Sequence, residues 1–365
     1  MKHIIEVIQS DHEPQVKLIA VDEDSAGQRL DNFLFRQFKG VPKTHVYRII
    51  RSGEVRVNKA RAAADTRVAM GDMVRLPPVR VSQRATEKAQ AMVVGAQPGT
   101  PAREFSVLFE DDALLAIDKP AGVAVHGGSG VSFGVIEQLR MARPQAKYLE
   151  LVHRLDRETS GILLLAKKRS ALKNLQDQFR ERETGKTYLA LVQGAWPANK
   201  KVLDQPLHKY LLPDGERRVK VVAKDDPDGM KSLTLVKLDQ LLSFRPELVK
   251  RLAELAGTAA QSGVGGSVAD KFSLLEVTIK TGRTHQIRVH LAFQGHPIVG
   301  DDKYGDFGLN KVLQRGASGV ALKRMFLHAW RLQFNHPVDG RRVELNSPLP
   351  SELQEFLHYV PAPQS

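Results

Sequence analysis

Between Arg29 and Phe38 the apolar residues Leu30, Phe33, Leu34 and Phe38 recur at helical spacing, and beyond Gly40-Val41-Pro42 the residues Val46, Ile49 and Ile50 do so again. Gly53 then closes the second helix. The segment Glu54-Val55-Arg56-Val57-Asn58 alternates, which predicts a strand with its valines inward and Arg56 and Asn58 outward. Gly71 to Leu76 repeats the alternation before Pro77-Pro78 stops it. A helix pair with a small sheet is therefore expected over residues 27–80, preceded by a solvated tail at 1–26.

Residues 81–103, rich in Ala, Gln, Gly and Pro without a sustained period, read as a linker. From Glu104 to His358 strands and helices mix. Leu114–Ile117, Ile162–Ala166, Tyr188–Val192 and Leu274–Ile279 are expected as strands, and Ala171–Phe179 as a helix. Gaps between strands are long and no βαβ rhythm is sustained, so an α+β fold with a mixed sheet is favoured over a doubly wound one. AGTAAQSGVGGSVAD at 256–270 reads as an insertion in this larger domain, and 359–365 as a C-terminal tail.

Composition narrows the chemistry. The 365 residues contain no cysteine, which removes disulfides, thiolate metal sites, iron–sulfur clusters and cysteine nucleophiles. No run approaches the ~20 apolar residues of a membrane span, and the start, MKHIIEVIQSDHEP, has no signal core, so a cytoplasmic protein is expected. The net charge is +13, and residues 28–84 alone hold 13 Lys/Arg against four Asp/Glu. A polyanionic partner follows from that excess.

Arg48 and Arg51 lie three apart on the second helix, and Arg56 points outward from the strand after it. They form either a solvated surface or a phosphate-binding face. The patterns GQRLDNFL, VYRIIRSGEVRVN and GDMVRL resemble the S4 RNA-binding domain over roughly residues 27–80. That resemblance implies that Arg48, Arg51 and Arg56 contact RNA.

The densest chemical cluster is His153-Arg154-Leu155-Asp156-Arg157-Glu158-Thr159-Ser160-Gly161, which runs into an apolar strand. Neighbouring cations favour an ionised Asp156, suited to a nucleophile or base, although a salt-bridged turn ahead of a core strand would look the same. HRLDRETSG resembles the signature of the large-subunit ribosomal class of pseudouridine synthases. Four further segments agree in order: Asp118-Lys119-Pro120-Ala121-Gly122 with Val125-His126-Gly127-Gly128, Lys186-Thr187-Tyr188-Leu189-Ala190-Leu191-Val192, Gly282-Arg283-Thr284-His285-Gln286-Ile287-Arg288-Val289-His290, and Phe326-Leu327-His328-Ala329.

The resemblance implies a pseudouridine synthase fold, with a mixed, largely antiparallel sheet flanked by helices and loops. It implies conversion of uridines to pseudouridine in large-subunit (23S) ribosomal RNA, without a cofactor or metal, by a monomer. Asp156 would be the catalytic nucleophile or base and Arg288 its ion-pair partner. Tyr188 would stack on the uracil and accept or relay the C5 proton. Arg154 would fill the gap left by the extruded base, with His153 and Arg283 as further RNA contacts. A non-catalytic RNA-binding factor and a transfer-RNA modifier are the competing readings.

Two other motifs lead elsewhere on geometry. His285 and His290 are five apart, about 140° around a helix, and so do not form a metal-binding pair. Gly127-Gly128-Ser129-Gly130 lacks the Lys-Ser/Thr ending of a phosphate loop and reads as a tight turn.

Overall fold

The computed structural model describes residues 16–22, 25–38, 41, 43–78, 101–127, 133–213, 215–243, 271–315, 321–358 and 360. Most of the expected linker, the 256–270 insertion and most of the 127–130 turn lie outside these described residues. The chain divides into two units, Met1–Arg103 with Arg140–Gln145, and Glu104–Leu139 with Ala146–Ser365.

In the first unit, strands β1 (Lys17–Ala20), β2 (Arg56–Val57), β3 (Ala60–Arg61) and β4 (Met73–Leu76) form an antiparallel sheet in the order β1-β4-β2-β3. Helices α1 (Leu30–Gln37) and α2 (Lys43–Arg51) supply its core, with Leu30, Phe33, Leu34, Val46 and Ile49 all buried. Two expectations need correcting. The first 26 residues are not all tail, because β1 pairs with β4 in the register Lys17↔Leu76 to Ala20↔Met73 and Val21 is buried. The strand expected over 54–58 is cut to two residues because Asn58 and Lys59 take left-handed φ values of 50° and 68°, turning the chain into β3.

The second unit is built on a ten-stranded sheet. Its main path runs β10 (Val202–Leu203), β13 (Thr234–Ser243), β14 (Lys271–Ile279), β9 (Gly185–Gln193), β15 (Leu327–Asn335), β8 (Ser160–Ala166), β6 (Leu114–Lys119) and β5 (Val107–Glu110). Strands β7 (Glu150–Leu151) and β16 (Arg342–Asn346) pair beside β8 and β15, and β11 (Leu207–Leu211) with β12 (Arg217–Val221) forms a separate hairpin. Every pairing in the large sheet is antiparallel except β8 with β15. The mixed, largely antiparallel α+β architecture is thus present.

Strand β8, SGILLLA, is buried along its whole length because both sheet faces are covered. Ile162, Leu164 and Ala166 pack with Ala171 and Leu175 of helix α4 (Arg169–Glu181), whereas Leu163 and Leu165 pack with Val135 and Leu139 of α3 (Val135–Ala142). A continuous apolar run is what such a two-sided strand requires. At its start Gly161 has φ 105°, and a Cβ there would lie 2.2 Å from the Ala329 carbonyl oxygen, so only glycine lets β8 approach β15 this closely. Helices α5 (Gln286–Phe293), α6 (Phe307–Arg315) and α7 (Ser351–His358) complete the unit. The C-terminal boundary also shifts, since Val360 is fully buried in the core with Phe356.

Candidate active site

Asp156 occupies the loop between β7 and β8, Tyr188 lies on β9, and Arg288 on the first turns of α5. These three line one cleft, together with Arg154, Arg283 and His285. The Asp156 carboxylate is about one quarter exposed, and its Oδ2 accepts a hydrogen bond of 3.1 Å from Arg288 Nη1. The ion pair expected between Asp156 and Arg288 is therefore present in the geometry.

Arg288 is buried, and most of its fork is committed elsewhere. Nε and Nη2 each donate to Asp301 at 2.7 Å, and Nη2 also lies 3.4 Å from Asp302. Burial opposes the guanidinium charge, but the bonds to Asp301 and the charges of Asp301 and Asp156 outweigh it and raise the Arg288 pKa. Burial likewise opposes an ionised Asp301. The Arg288 fork and the backbone N–H groups of Lys303 and Tyr304 prevail, holding that carboxyl below its ordinary range. Asn310 fixes the same loop by donating to the Asp301 carbonyl and accepting from the Gly300 N–H.

Tyr188 is half-buried on its strand, paired to Val277 of β14 and Ala329 of β15. Burial, then the Asp156 charge, pushes its phenol well above the ordinary tyrosine value. A neutral phenol is a poor proton acceptor. Taking up the C5 proton would need the phenolate, which this environment disfavours.

Two loops hold the cleft in shape. Gln286 accepts from Thr281 Oγ1 and the Arg283 N–H and donates to the Leu233 carbonyl and Thr234 Oγ1, which sets the 281–286 turn. Lys119, fully buried, donates to the carbonyls of Pro120, Val123 and Arg157 at 2.8, 2.8 and 3.0 Å, tying the Asp118–Gly122 segment to the Asp156 loop. Burial lowers its ammonium pKa to about 7.

Arg154 is exposed and lines the cleft, as does Arg283, whose Nε donates to the Lys231 carbonyl. His153 is a correction. Its Nε2 accepts from the Leu164 N–H, its ring stacks on Phe179 at 4.9 Å between centroids, and burial lowers its pKa to about 4. It is a half-buried histidine that braces β8 and does not line the cleft. Arg48, Arg51 and Arg56 lie in the first unit, the first two exposed and Arg56 half-buried. Arg48 bonds to the His45 ring, Arg51 donates to the Tyr47 carbonyl and Arg56 to the Lys59 carbonyl.

His285 sits just before α5 rather than within it, with left-handed φ 52° and ψ 21°. His290 is buried among Ser232, Thr234 and the Gln205 carbonyl. Among the described residues one grouping, His208, Asp226 and Asp228, brings three metal-type donors within 4.8 Å of one another, and none of the three lines the cleft. The residues that sequence reasoning missed are Asp301, Tyr304 and Asn310. The polar, glycine-flanked run Gly300-Asp301-Asp302-Lys303-Tyr304-Gly305 was the available signal for the first two.

Residues 113–293 match the family model of RNA pseudouridylate synthases, and residues 28–74 match the S4 domain model. The chain belongs to the RNA pseudouridine synthase family. It is 45% identical to the ribosomal large subunit pseudouridine synthase C of Salmonella typhi, covering 95% of this chain and 97% of that one. To the protein of the same name from Escherichia coli K12 it is 44% identical over 94% and 96%. Among solved structures, human RNA pseudouridylate synthase domain containing 4 superposes with a TM-score of 0.51 at 26% identity, over 71% of this chain and 95% of that one.

Proposed function

We propose that this protein converts uridines to pseudouridine in large-subunit ribosomal RNA, with Asp156 as the catalytic carboxylate. The observation that carries this reading is the Asp156–Arg288 pair at 3.1 Å, set at a cleft floored by Tyr188 in a chain 45% identical to proteins named for that reaction.

The reaction breaks the N1–C1′ bond, turns the freed base, joins C5 to C1′ and removes the C5 proton. It consumes no reductant or nucleotide. Asp156 supplies the electron pair that the exchange needs, as nucleophile or base. Arg288 aims Asp156 through its 3.1 Å hydrogen bond to Oδ2. Tyr188 presents its ring face to the uracil. A uridine inside folded RNA must first be extruded, at a cost of a few kcal/mol, and Arg154 on the cleft wall enters the gap it leaves. The basic first unit holds the RNA through Arg48, Arg51 and Arg56, with Arg283 adding a contact near the cleft.

No helix among the described residues is long and apolar enough to cross a membrane. The reading places a monomer in the cytoplasm, where its substrate is made. Its test is a map of pseudouridines in large-subunit ribosomal RNA from cells with and without the gene. Loss of specific large-subunit sites is expected; loss confined to transfer RNA would redirect the substrate assignment.

A further inference from the structure

His285 is a second nitrogen donor near Asp156 Oδ2, beside Arg288. Its Nε2 lies 3.9 Å from Asp156 Oδ2, and its Nδ1 lies 2.8 Å from the Tyr304 hydroxyl oxygen. That hydroxyl oxygen also accepts the Val219 N–H at 3.0 Å. The Val219 amide can only donate. Among the described residues the Tyr304 hydroxyl hydrogen then has Nδ1 as its acceptor, which leaves the single proton of a neutral ring on Nε2.

We propose that His285 is a positioning residue for the reaction, a neutral imidazole held as the Nε2–H tautomer by Tyr304 so that it donates to Asp156 Oδ2 when the cleft closes on substrate. Oδ2 is then occupied by both Arg288 Nη1 and His285 Nε2, and Oδ1 is the oxygen left for the reacting uridine. The left-handed backbone at His285 costs energy, and such conformations gather at functional sites. The ring is only 14% exposed, so its orientation is set by Tyr304 rather than by water. The proposal rests on Asp156 being the catalytic carboxylate.

The charged and titratable groups facing the ring are Asp156 from the catalytic loop, Arg288 from its own helix, and Asp301, Lys303 and Tyr304 from the loop after it. Burial lowers the His285 pKa, the first effect in a balance that the Asp156 charge opposes.

The test uses full-length protein labelled with ¹⁵N-histidine, the His285 signals being assigned by their loss in His285→Gln. At pH 7 the ring nitrogens should report a neutral imidazole protonated on Nε2. In Tyr304→Phe, Nδ1 loses its donor and the ring should protonate at higher pH, adding an acidic limb to the rate profile. His285→Ala should lower kcat by about tenfold with KM for RNA unchanged, as for loss of one hydrogen bond to a charged group. His285→Gln, whose amide reaches the same position, should restore most of it. A ring protonated on Nδ1 or charged at pH 7, or full kcat in His285→Ala, would overturn the proposal. Full activity in Asp156→Asn would instead remove the parent reading, whatever the ring assignment shows.

Discussion

Asp301 grips Arg288 with two hydrogen bonds of 2.7 Å, whereas Asp156 receives one of 3.1 Å. The guanidinium is thus anchored to the loop after α5 and leans on the catalytic carboxylate from that fixed point. Removing one partner of a buried pair leaves an uncompensated charge, at a cost of about 3–5 kcal/mol. Asp301→Ala should lose stability on that scale in urea denaturation and also lower kcat, because Arg288 is no longer aimed. Acid carries the same signature. The folded carboxyl of Asp301 is held below its ordinary value, so its contribution is present above the unfolded pKa of ~3.9 and is lost as pH falls through the lower folded value. Asp301→Asn should therefore show a flatter loss of stability in acid than the parent protein; equal slopes would place the acid-sensitive group elsewhere.

Lys119 gives a slope of the same sign on the alkaline side. With its folded pKa lowered to about 7, the unfolded chain binds more protons than the native one between there and the unfolded value of ~10.4. Stability should rise with pH through that window. Lys119→Met should abolish the rise and, by leaving three carbonyls without their donor, destabilise the protein at pH 6. Denaturation midpoints at pH 6 and 9 check both effects.

Tyr188→Phe separates ring from hydroxyl. Because the phenol stays protonated, its loss should leave the alkaline side of the rate profile unchanged. Tyr188→Leu, which removes the ring face, should cost at least about fivefold more in kcat than Phe, in line with stacking worth roughly 1–3 kcal/mol per base. Equal losses would return the hydroxyl to the chemistry.

These contrasts mark where local pattern stops being informative. Strand β8 was legible because seven consecutive buried residues leave a continuous apolar run, and Asp156 because its charged neighbours precede that run directly. Arg288 was reached through the family resemblance. Asp301 was missed: it lies 13 residues after Arg288, and although the polar run between Gly300 and Gly305 marks the loop, only the fold turns that carboxylate inward. Strand β1 escaped because a four-residue edge strand with mostly exposed side chains has no alternation to read. His153 misled for the converse reason. A histidine beside a catalytic residue resembles a ligand contact until its ring is seen on Phe179.

The first unit makes an independent prediction. If Arg48, Arg51 and Arg56 contact phosphate, replacing each with Gln should weaken RNA binding and reduce the salt-dependence slope by roughly 0.7–0.9 per lost contact. Affinity titrations across salt concentrations measure this, and an unchanged slope would leave the arginines as solvated surface.

The central claim is that Asp156 carries out the isomerisation. Release of tritium from C5-labelled uridine in large-subunit ribosomal RNA measures it directly, because the C5 hydrogen leaves only when C5 has joined the sugar. Asp156→Asn should bind the RNA and release no tritium above background; release at the parent rate would contradict the account.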